Sequence, residues 1–193
     1  MVTYLLEKER KRWLAKKEAH EAANGVGFQA ICFTADGHVA ERLHRRLSKL
    51  SRDKNRMGGS VLLDASAGLT ARAKAVAAFR AGGVSRSGGS PGSPGSHNAQ
   101  EPVEVLIASP DLAGRGLDVP GTCTAVLMDL PGDVSEYVHC AGRAGRLNRE
   151  GRVITLLRAG QEFVLDRFSN ELGVPIVRRD VKASRSTRRK EGI

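Results

Sequence analysis

The chain has 193 residues, of which 40% are hydrophobic and 4% aromatic, and its formal net charge is +10. This length suffices for one α/β domain with its own core, and the hydrophobic share excludes a disordered protein. No apolar run approaches the roughly 20 residues that span a bilayer. Charges at 7–10 exclude a signal peptide, so we expect a soluble, intracellular protein without a membrane partner.

The hydrophobic pattern predicts helices that alternate with short strands. In chain order we expect a helix over 3–23, a strand over 28–33, a helix over 37–50, a strand over 60–63, a helix over 70–80, strands over 103–108 and 124–128, a helix over 134–141, a strand over 153–157 and a helix over 161–172. This alternation indicates a parallel sheet with right-handed crossovers. Ligands of such sheets bind beyond the carboxyl ends of the strands, so the loops 108–120 and 139–146 are the places to look for chemistry.

Two segments lack this pattern. Residues 82–102 are rich in Gly, Ser and Pro, which predicts a flexible surface loop. Residues 178–193 hold seven basic and two acidic side chains, which gives 7 − 2 = +5 of the net charge. Such a tail either binds nucleic acid or another polyanion, or is a solvated extension without a specific partner.

The three cysteines, Cys32, Cys123 and Cys140, are far apart in the sequence. Their number is odd and they show no C-x-x-C spacing, which argues against a disulfide or a zinc site. We therefore expect buried free thiols and no bound metal.

Two loops carry residues suited to phosphate and sugar chemistry. The first, 111–120, is rich in small residues that let a ligand or another domain approach the backbone, and Asp118 can accept hydrogen bonds from sugar hydroxyls. Taken alone, this is an ordinary loop. The second contains Arg143 and Arg146, each preceded by glycine, and such guanidinium groups stabilise phosphoryl-transfer transition states. The alternative for them is a pair of surface ion-pairing arginines.

Residues 103–157 resemble motifs V and VI of the DEAD-box RNA helicases, together with the strand and helix between them. Gly114-Arg115-Gly116-Leu117-Asp118 resembles the A-R-G-[IL]-D core of motif V, and 139–146 resembles H-R-x-G-R-x-G-R of motif VI. Asp129-Leu130-Pro131 and 135–139 match as well. Upstream, 30–34 is similar to the end of motif IV, while 69–72 and 79–82 are similar to the helix that follows it.

The resemblance implies the second, C-terminal RecA-like domain of an ATP-dependent RNA helicase. It covers residues 28–177, with the flexible insertion at 82–102 inside it. Residues 1–27 then form a linker helix from the first domain or a helix that binds a partner, and 178–193 form a basic, RNA-tethering tail. Trp13 is expected to pack against the domain surface.

For ATP, the resemblance implies that Arg143 and Arg146 are arginine fingers and that Gly116 and Asp118 contact the nucleotide. The sequence contains neither a G-x-x-x-x-G-K-[ST] loop for the phosphates nor a D-E-A-D segment for Mg²⁺. Both belong to the first RecA-like domain in this family. We therefore expect ATP and Mg²⁺ to be cofactors of the two-domain protein and this chain alone to be inactive.

For RNA, the resemblance places Thr34, Arg72 and Asp111 at the sugar-phosphate backbone. It places Arg115 and His139 in the coupling of the two RecA-like domains. The partners it implies are structured or ribosomal RNA, the first RecA-like domain of the same protein, and ribosomal or assembly proteins.

Four positions depart from the family pattern. Cys140 replaces the first arginine of motif VI, Pro110 replaces a threonine of motif V, Leu69 replaces a glutamine, and Asp64 begins a segment that often holds His-Gly. These changes affect RNA contact more than nucleotide contact. They leave open a second hypothesis, a helicase-fold scaffold or assembly factor without turnover in ribosome biogenesis, including that of mitochondria. Mitochondrion, nucleolus and cytoplasm are equally compatible with the sequence.

Overall fold

The computed structural model describes residues 1–16, 27–51, 57–82, 102–113, 122–145 and 150–180. The chain divides into two compact units. One comprises Val2–Leu157, and the other begins at Arg158 and includes Met1. The elements in chain order are α1 (Val2–Ala15), β1 (Ala30–Phe33), α2 (Gly37–Ser51), β2 (Gly59–Leu63), α3 (Leu69–Gly82), β3 (Val103–Ala108), α4 (Pro110–Ala113), β4 (Thr124–Leu127), α5 (Val134–Ala141), β5 (Arg152–Thr155) and α6 (Glu162–Leu172).

The five strands form one parallel sheet in the order β2-β3-β1-β4-β5. All residues of β1 and β4 are buried, as expected for inner strands of a parallel sheet that is covered on both faces. The predicted α/β class, a RecA-like parallel sheet flanked by helices, is confirmed.

The core on one face of the sheet joins α1 and α2 to the inner strands. Leu6 of α1 and Leu47 of α2 are fully buried there beside Cys32 and Ile107. Successive strand residues point to opposite faces, so the equally buried Ile31 lies on the other face. The connection from β1 through α2 runs toward the β2 edge of the sheet, whereas the connections through α3 and α5 run toward the β5 edge. Right-handed connections therefore place α3 and α5 on that other face.

A buried carboxylate fixes α1 to the sheet. The Nε atom of Arg10 donates to both oxygens of Glu104, at 2.9 and 2.8 Å, and the backbone N–H of Gly58 donates to Glu104 Oε2 at 2.7 Å. Trp13 meets Phe28 edge to face with ring centroids 6.5 Å apart, which confirms its predicted packing role. The linker role of 1–27 stays a prediction.

The observed bounds differ from the predicted ones at a few places. α1 ends at Ala15, and residues 17–23 of the predicted helix lie outside the described residues, as do 83–101 of the insertion and 181–193 of the tail. The strand predicted over 153–157 runs from Arg152 to Thr155. The four-residue helix α4 was not predicted. It begins where the carbonyl of Ser109 accepts from the N–H groups of Leu112 and Ala113.

The unit that begins at Arg158 contains α6. This helix ends at Leu172 and is capped by Gly173, whose φ of 63° is a left-handed conformation that glycine adopts without strain. Asp166 forms an ion pair with Arg178. Among the described residues, no helix is both long and apolar enough to cross a membrane.

Candidate functional site

The strand order predicts a ligand crevice at the carboxyl ends of β1 and β4. These two strands are neighbours, but β1 leads through α2 to β2 on one side of the sheet and β4 leads through α5 to β5 on the other. Connections that diverge from adjacent parallel strands mark a topological switch point, which is the usual ligand position in open α/β sheets. Thr34 and Asp129 follow these two strands.

The two residues are joined by a hydrogen bond. Thr34 Oγ1 donates to Asp129 Oδ2 at 2.8 Å, and Thr34 Oγ1 also accepts from the backbone N–H of Asp36 at 3.3 Å. Asp36 Oδ1 in turn accepts from the N–H groups of His38 and Val39, which starts α2. The exposed fraction of Thr34 is 3%, whereas Asp129 is half-buried at the rim.

Arg72 and Asp111 lie at the same edge. Arg72 is in the first turn of α3, just after β2, and its buried Nε has no hydrogen-bond partner among the described residues. Asp111 is exposed in α4, just after β3. The three residues predicted to face RNA thus follow the carboxyl ends of three parallel strands, and their contact with RNA stays a prediction.

α5 begins at this edge because its sequence forms a cap. Asp133 Oδ1 accepts from the N–H of Glu136 at 2.7 Å, and Glu136 Oε2 accepts from the N–H of Gly132 at 2.9 Å. This exchange resembles a capping box, which the D-x-x-E spacing provides. The helix therefore starts at a fixed point beside the crevice.

The loop after α5 lies at the opposite edge of the sheet. Gly145 donates its N–H to the carbonyl of Thr122, 3.3 Å away and just before the amino end of β4. The expectation that 139–146 lies beyond the carboxyl ends of the strands is therefore wrong for the described part, 139–145. The reason is that a parallel sheet requires each connecting helix to return the chain to the amino edge.

Arg143 is held against its own helix. Its exposed fraction is 9%, and its Nε donates to the carbonyl of His139 at 3.2 Å. His139 Nδ1 lies 3.5 Å from the hydroxyl of Ser135 one turn earlier. Of the other predicted site residues, those of motif V and the second arginine lie outside the described residues: Arg115, Gly116, Asp118 and Arg146.

Cys140, which follows His139 in α5, is fully buried. Burial raises the pKa of its thiol to about 11, with a further increase from the negative charges of Glu136 and Asp111 and a decrease from Arg143. A neutral thiol thus stands where the family has a charged arginine. The predicted free thiols are confirmed, with Cys32 buried and Cys123 half-buried. The described part of the chain holds no group of three or more His, Cys, Asp or Glu side chains that could bind a metal ion.

Comparison with known proteins identifies relatives of this region. A family model described as "Helicase conserved C-terminal domain" matches residues 96–148. The DEAD-box ATP-dependent RNA helicase CshC of Bacillus cereus is 33% identical over 79 residues, which are 41% of this chain and 20% of that protein. The chloroplastic DEAD-box ATP-dependent RNA helicase 58 of Arabidopsis thaliana is 44% identical over 70 residues, which are 35% of this chain and 15% of that protein. The matched segments therefore span a fifth or less of these relatives.

Solved structures share the fold. Domain 2 of the DEAD-box helicase Mss116p, bound to an RNA duplex, superimposes with a TM-score of 0.61 at 15% identity, over 95% of this chain and 62% of that one. S. cerevisiae Dbp5, bound to RNA and ADP BeF3, gives a TM-score of 0.55 at 23% identity, over 76% of this chain and 32% of that one.

The sheet order and these structures show a RecA-like fold, and residues 96–148 match a helicase conserved C-terminal domain. Within the matched segments, the chain is similar to DEAD-box ATP-dependent RNA helicases.

Proposed function

We propose that the chain is the C-terminal half of an ATP-dependent helicase that remodels RNA or ribonucleoprotein, with RNA at the carboxyl edge of the sheet. The observation that supports this is the position of Thr34, Arg72 and Asp111 after β1, β2 and β3. Contacts at this edge would reach sugar and phosphate groups, so the sequence preference is weak. The basic tail adds phosphate contacts.

ATP binds at the side of the domain that carries the loop after α5 with Arg143, called the arginine loop below. Arg143 and Arg146 stabilise the γ-phosphate during hydrolysis, Gly116 and Asp118 contact the nucleotide, and Arg115 and His139 couple the two domains. The bond from Arg143 Nε to the carbonyl of His139 supports this role, because it holds the guanidinium plane in one orientation. When bound, Mg²⁺ neutralises phosphate charge from the first RecA-like domain. The chain alone has no turnover.

The test is RNA-stimulated ATP hydrolysis by this chain combined with its first RecA-like domain. We expect Arg146→Ala to abolish turnover and to leave RNA affinity unchanged. Arg45→Ala is the matched control, because Arg45 is an exposed arginine that pairs with Glu41 one turn earlier in the same helix. Unchanged turnover in Arg146→Ala overturns the proposal.

A scaffold without turnover is the second candidate function, with ribosome assembly, including that of mitochondrial ribosomes, as its setting. The observation that favours it is the fully buried Cys140 in the place of the family's first motif VI arginine. In the same experiment this function predicts RNA or ribonucleoprotein binding without ATP hydrolysis. The two functions are therefore separated by one measurement of turnover.

A further inference from the structure

We propose that the outer face of α2 is a second RNA-binding surface, separate from the carboxyl edge and formed by Arg42, Arg46 and Lys49, called the α2 cation row below. The inference rests on the proposed function, which brings an RNA strand to the edge where α2 begins. It adds a path for that strand along one face of the domain, where the row holds phosphates without regard to base sequence.

The sequence places the three side chains of the row on one side of the helix. Their spacing is i, i+4 and i+7, and residues so spaced are neighbours on the surface of an α-helix. All three are exposed, whereas Leu43 and Leu47 of the same helix are buried in the core. At a rise of about 1.5 Å per residue, the cations follow each other at intervals of about 6 and 4.5 Å along the axis. α2 therefore presents a straight row of positive charge to solvent.

The α2 cation row has no carboxylate of its own. In the part of the chain that the structure describes, none of its side chains forms an ion pair or a hydrogen bond. The single acidic residue of α2, Glu41, pairs with Arg45 instead. With its histidines neutral, the helix has four basic residues and one acidic residue, which gives 4 − 1 = +3.

Cations near α1, which packs on the same face of the sheet, are paired instead. Lys16 Nζ donates to Glu150 Oε2 at 2.9 Å, and Arg152 Nη1 lies 3.4 Å from Glu9 Oε1. Such a carboxylate screens its cation and leaves less positive charge for an external anion. The contrast indicates that a polyanion from outside the domain neutralises the α2 cation row.

The position of the row favours RNA as that polyanion. α2 begins at Gly37, three residues after Thr34 at the carboxyl edge, and Lys49 lies about 18 Å further along the helix axis. A strand that leaves the edge along α2 therefore meets Arg42 first and Lys49 last. Guanidinium and ammonium groups contact phosphate oxygens, which every nucleotide carries. α2 contains no Phe, Tyr or Trp on which a base could stack, so the row adds affinity without sequence preference.

The experiment measures binding of oligouridine strands of increasing length to the full chain over a range of salt concentrations. Each phosphate contact of a single strand contributes about 0.7 to the slope of log affinity against log salt concentration. We expect the triple variant Arg42→Gln, Arg46→Gln, Lys49→Gln to reduce this slope by about 2 for long strands. Its affinity for the shortest strands that bind should be unchanged, and its affinity should stop rising at a shorter strand length than that of the unmutated chain.

Single variants distinguish the position of a charge from the number of charges. Arg46→Gln and Lys16→Gln each remove one positive charge from an exposed residue on the same face of the sheet. The slope should fall by about 0.7 in the first variant and change little in the second, because Glu150 already screens Lys16. Equal losses in the two variants would show that only net charge matters, which overturns the inference. Thermal unfolding of each variant establishes that the fold is intact.

The outcomes separate the inference from the function on which it rests. A triple variant that keeps the slope and the length dependence of the unmutated chain overturns the inference and leaves the proposed function in place. If that variant has instead lost binding of a polyglutamate peptide, the row serves an acidic protein. If the row affects RNA binding but the two-domain protein has no ATP turnover, the inference stands and the helicase function fails. An unmutated chain that binds no strand overturns both.

Discussion

Gly151 lies against the backbone of Gly145, so close that a Cβ atom at position 151 would be 2.3 Å from the nitrogen of Gly145. Gly145 has a φ of 72°, a left-handed conformation that glycine adopts readily, and it is bonded to the carbonyl of Thr122. The loop that follows α5 thus lies in close backbone contact with the start of β5.

We expect Gly151→Ala to displace this loop. The added methyl meets backbone atoms that cannot rotate away, so the free energy of unfolding should fall by about 1–3 kcal/mol. ATP hydrolysis in the two-domain protein should fall as well, because Arg143 belongs to the displaced segment. Urea unfolding and ATP turnover measure the two effects. Gly37→Ala is the control, since a Cβ there meets no atom within 4 Å, and a similar loss in that variant would contradict the explanation.

Glu104→Leu should lower the free energy of unfolding by about 3 kcal/mol, because it leaves the charge of Arg10 and the N–H of Gly58 without their partner in a largely buried site. The double variant with Arg10→Met should lose less, since no unpaired charge remains. Urea unfolding of the three chains measures the difference. A double variant less stable than Glu104→Leu alone would contradict this account. Glu41→Ala, in an exposed pair, should cost less than about 1 kcal/mol.

Cys140→Arg, which restores the family residue, should destabilise the chain. Cys140 is fully buried, so the larger arginine overpacks the site, which costs about 1–3 kcal/mol even with the carboxylates of Glu136 and Asp111 nearby. Cys140→Ala removes only the thiol and should cost less. Thermal unfolding compares the two variants. If the arginine variant is as stable as the native chain, the site has room for a charge that the structure does not indicate.

His44 should make stability depend on pH. Burial lowers the pKa of His44 below its ordinary 6.5 in the folded chain, where its Nδ1 lies 3.0 Å from the hydroxyl of Ser60. The unfolded chain then binds the proton more readily, so stability falls as pH decreases from about 6.5. Burial raises the pKa of Glu9 above 4.5, so its contribution to stability has the opposite pH dependence and increases as pH falls. Urea unfolding between pH 7 and 5.5 should show a decline that His44→Gln reduces, and an unchanged decline in that variant would contradict the assignment.

Local signals in the sequence predicted individual elements well. β3 and α5 have the predicted bounds, 103–108 and 134–141, because an apolar run defines the first and the Asp133 cap defines the second. α4 was missed although Ser109-Pro110 is a common helix start. The strand order and the bond between Thr34 and Asp129, 95 positions apart, depend on how distant segments assemble, which no local pattern contains.

α5 has eight residues, so its length is about 12 Å, close to that of the strands it connects. Its first turn is anchored by Asp133 beside the crevice, and the loop after its last turn is bonded to Thr122 at the far edge. A helix of two turns is too short to bend appreciably between these anchors. α5 is therefore expected to move as a rigid unit. A ligand that displaces its first turn either shifts the arginine loop with it or breaks the bonds of the Asp133 cap.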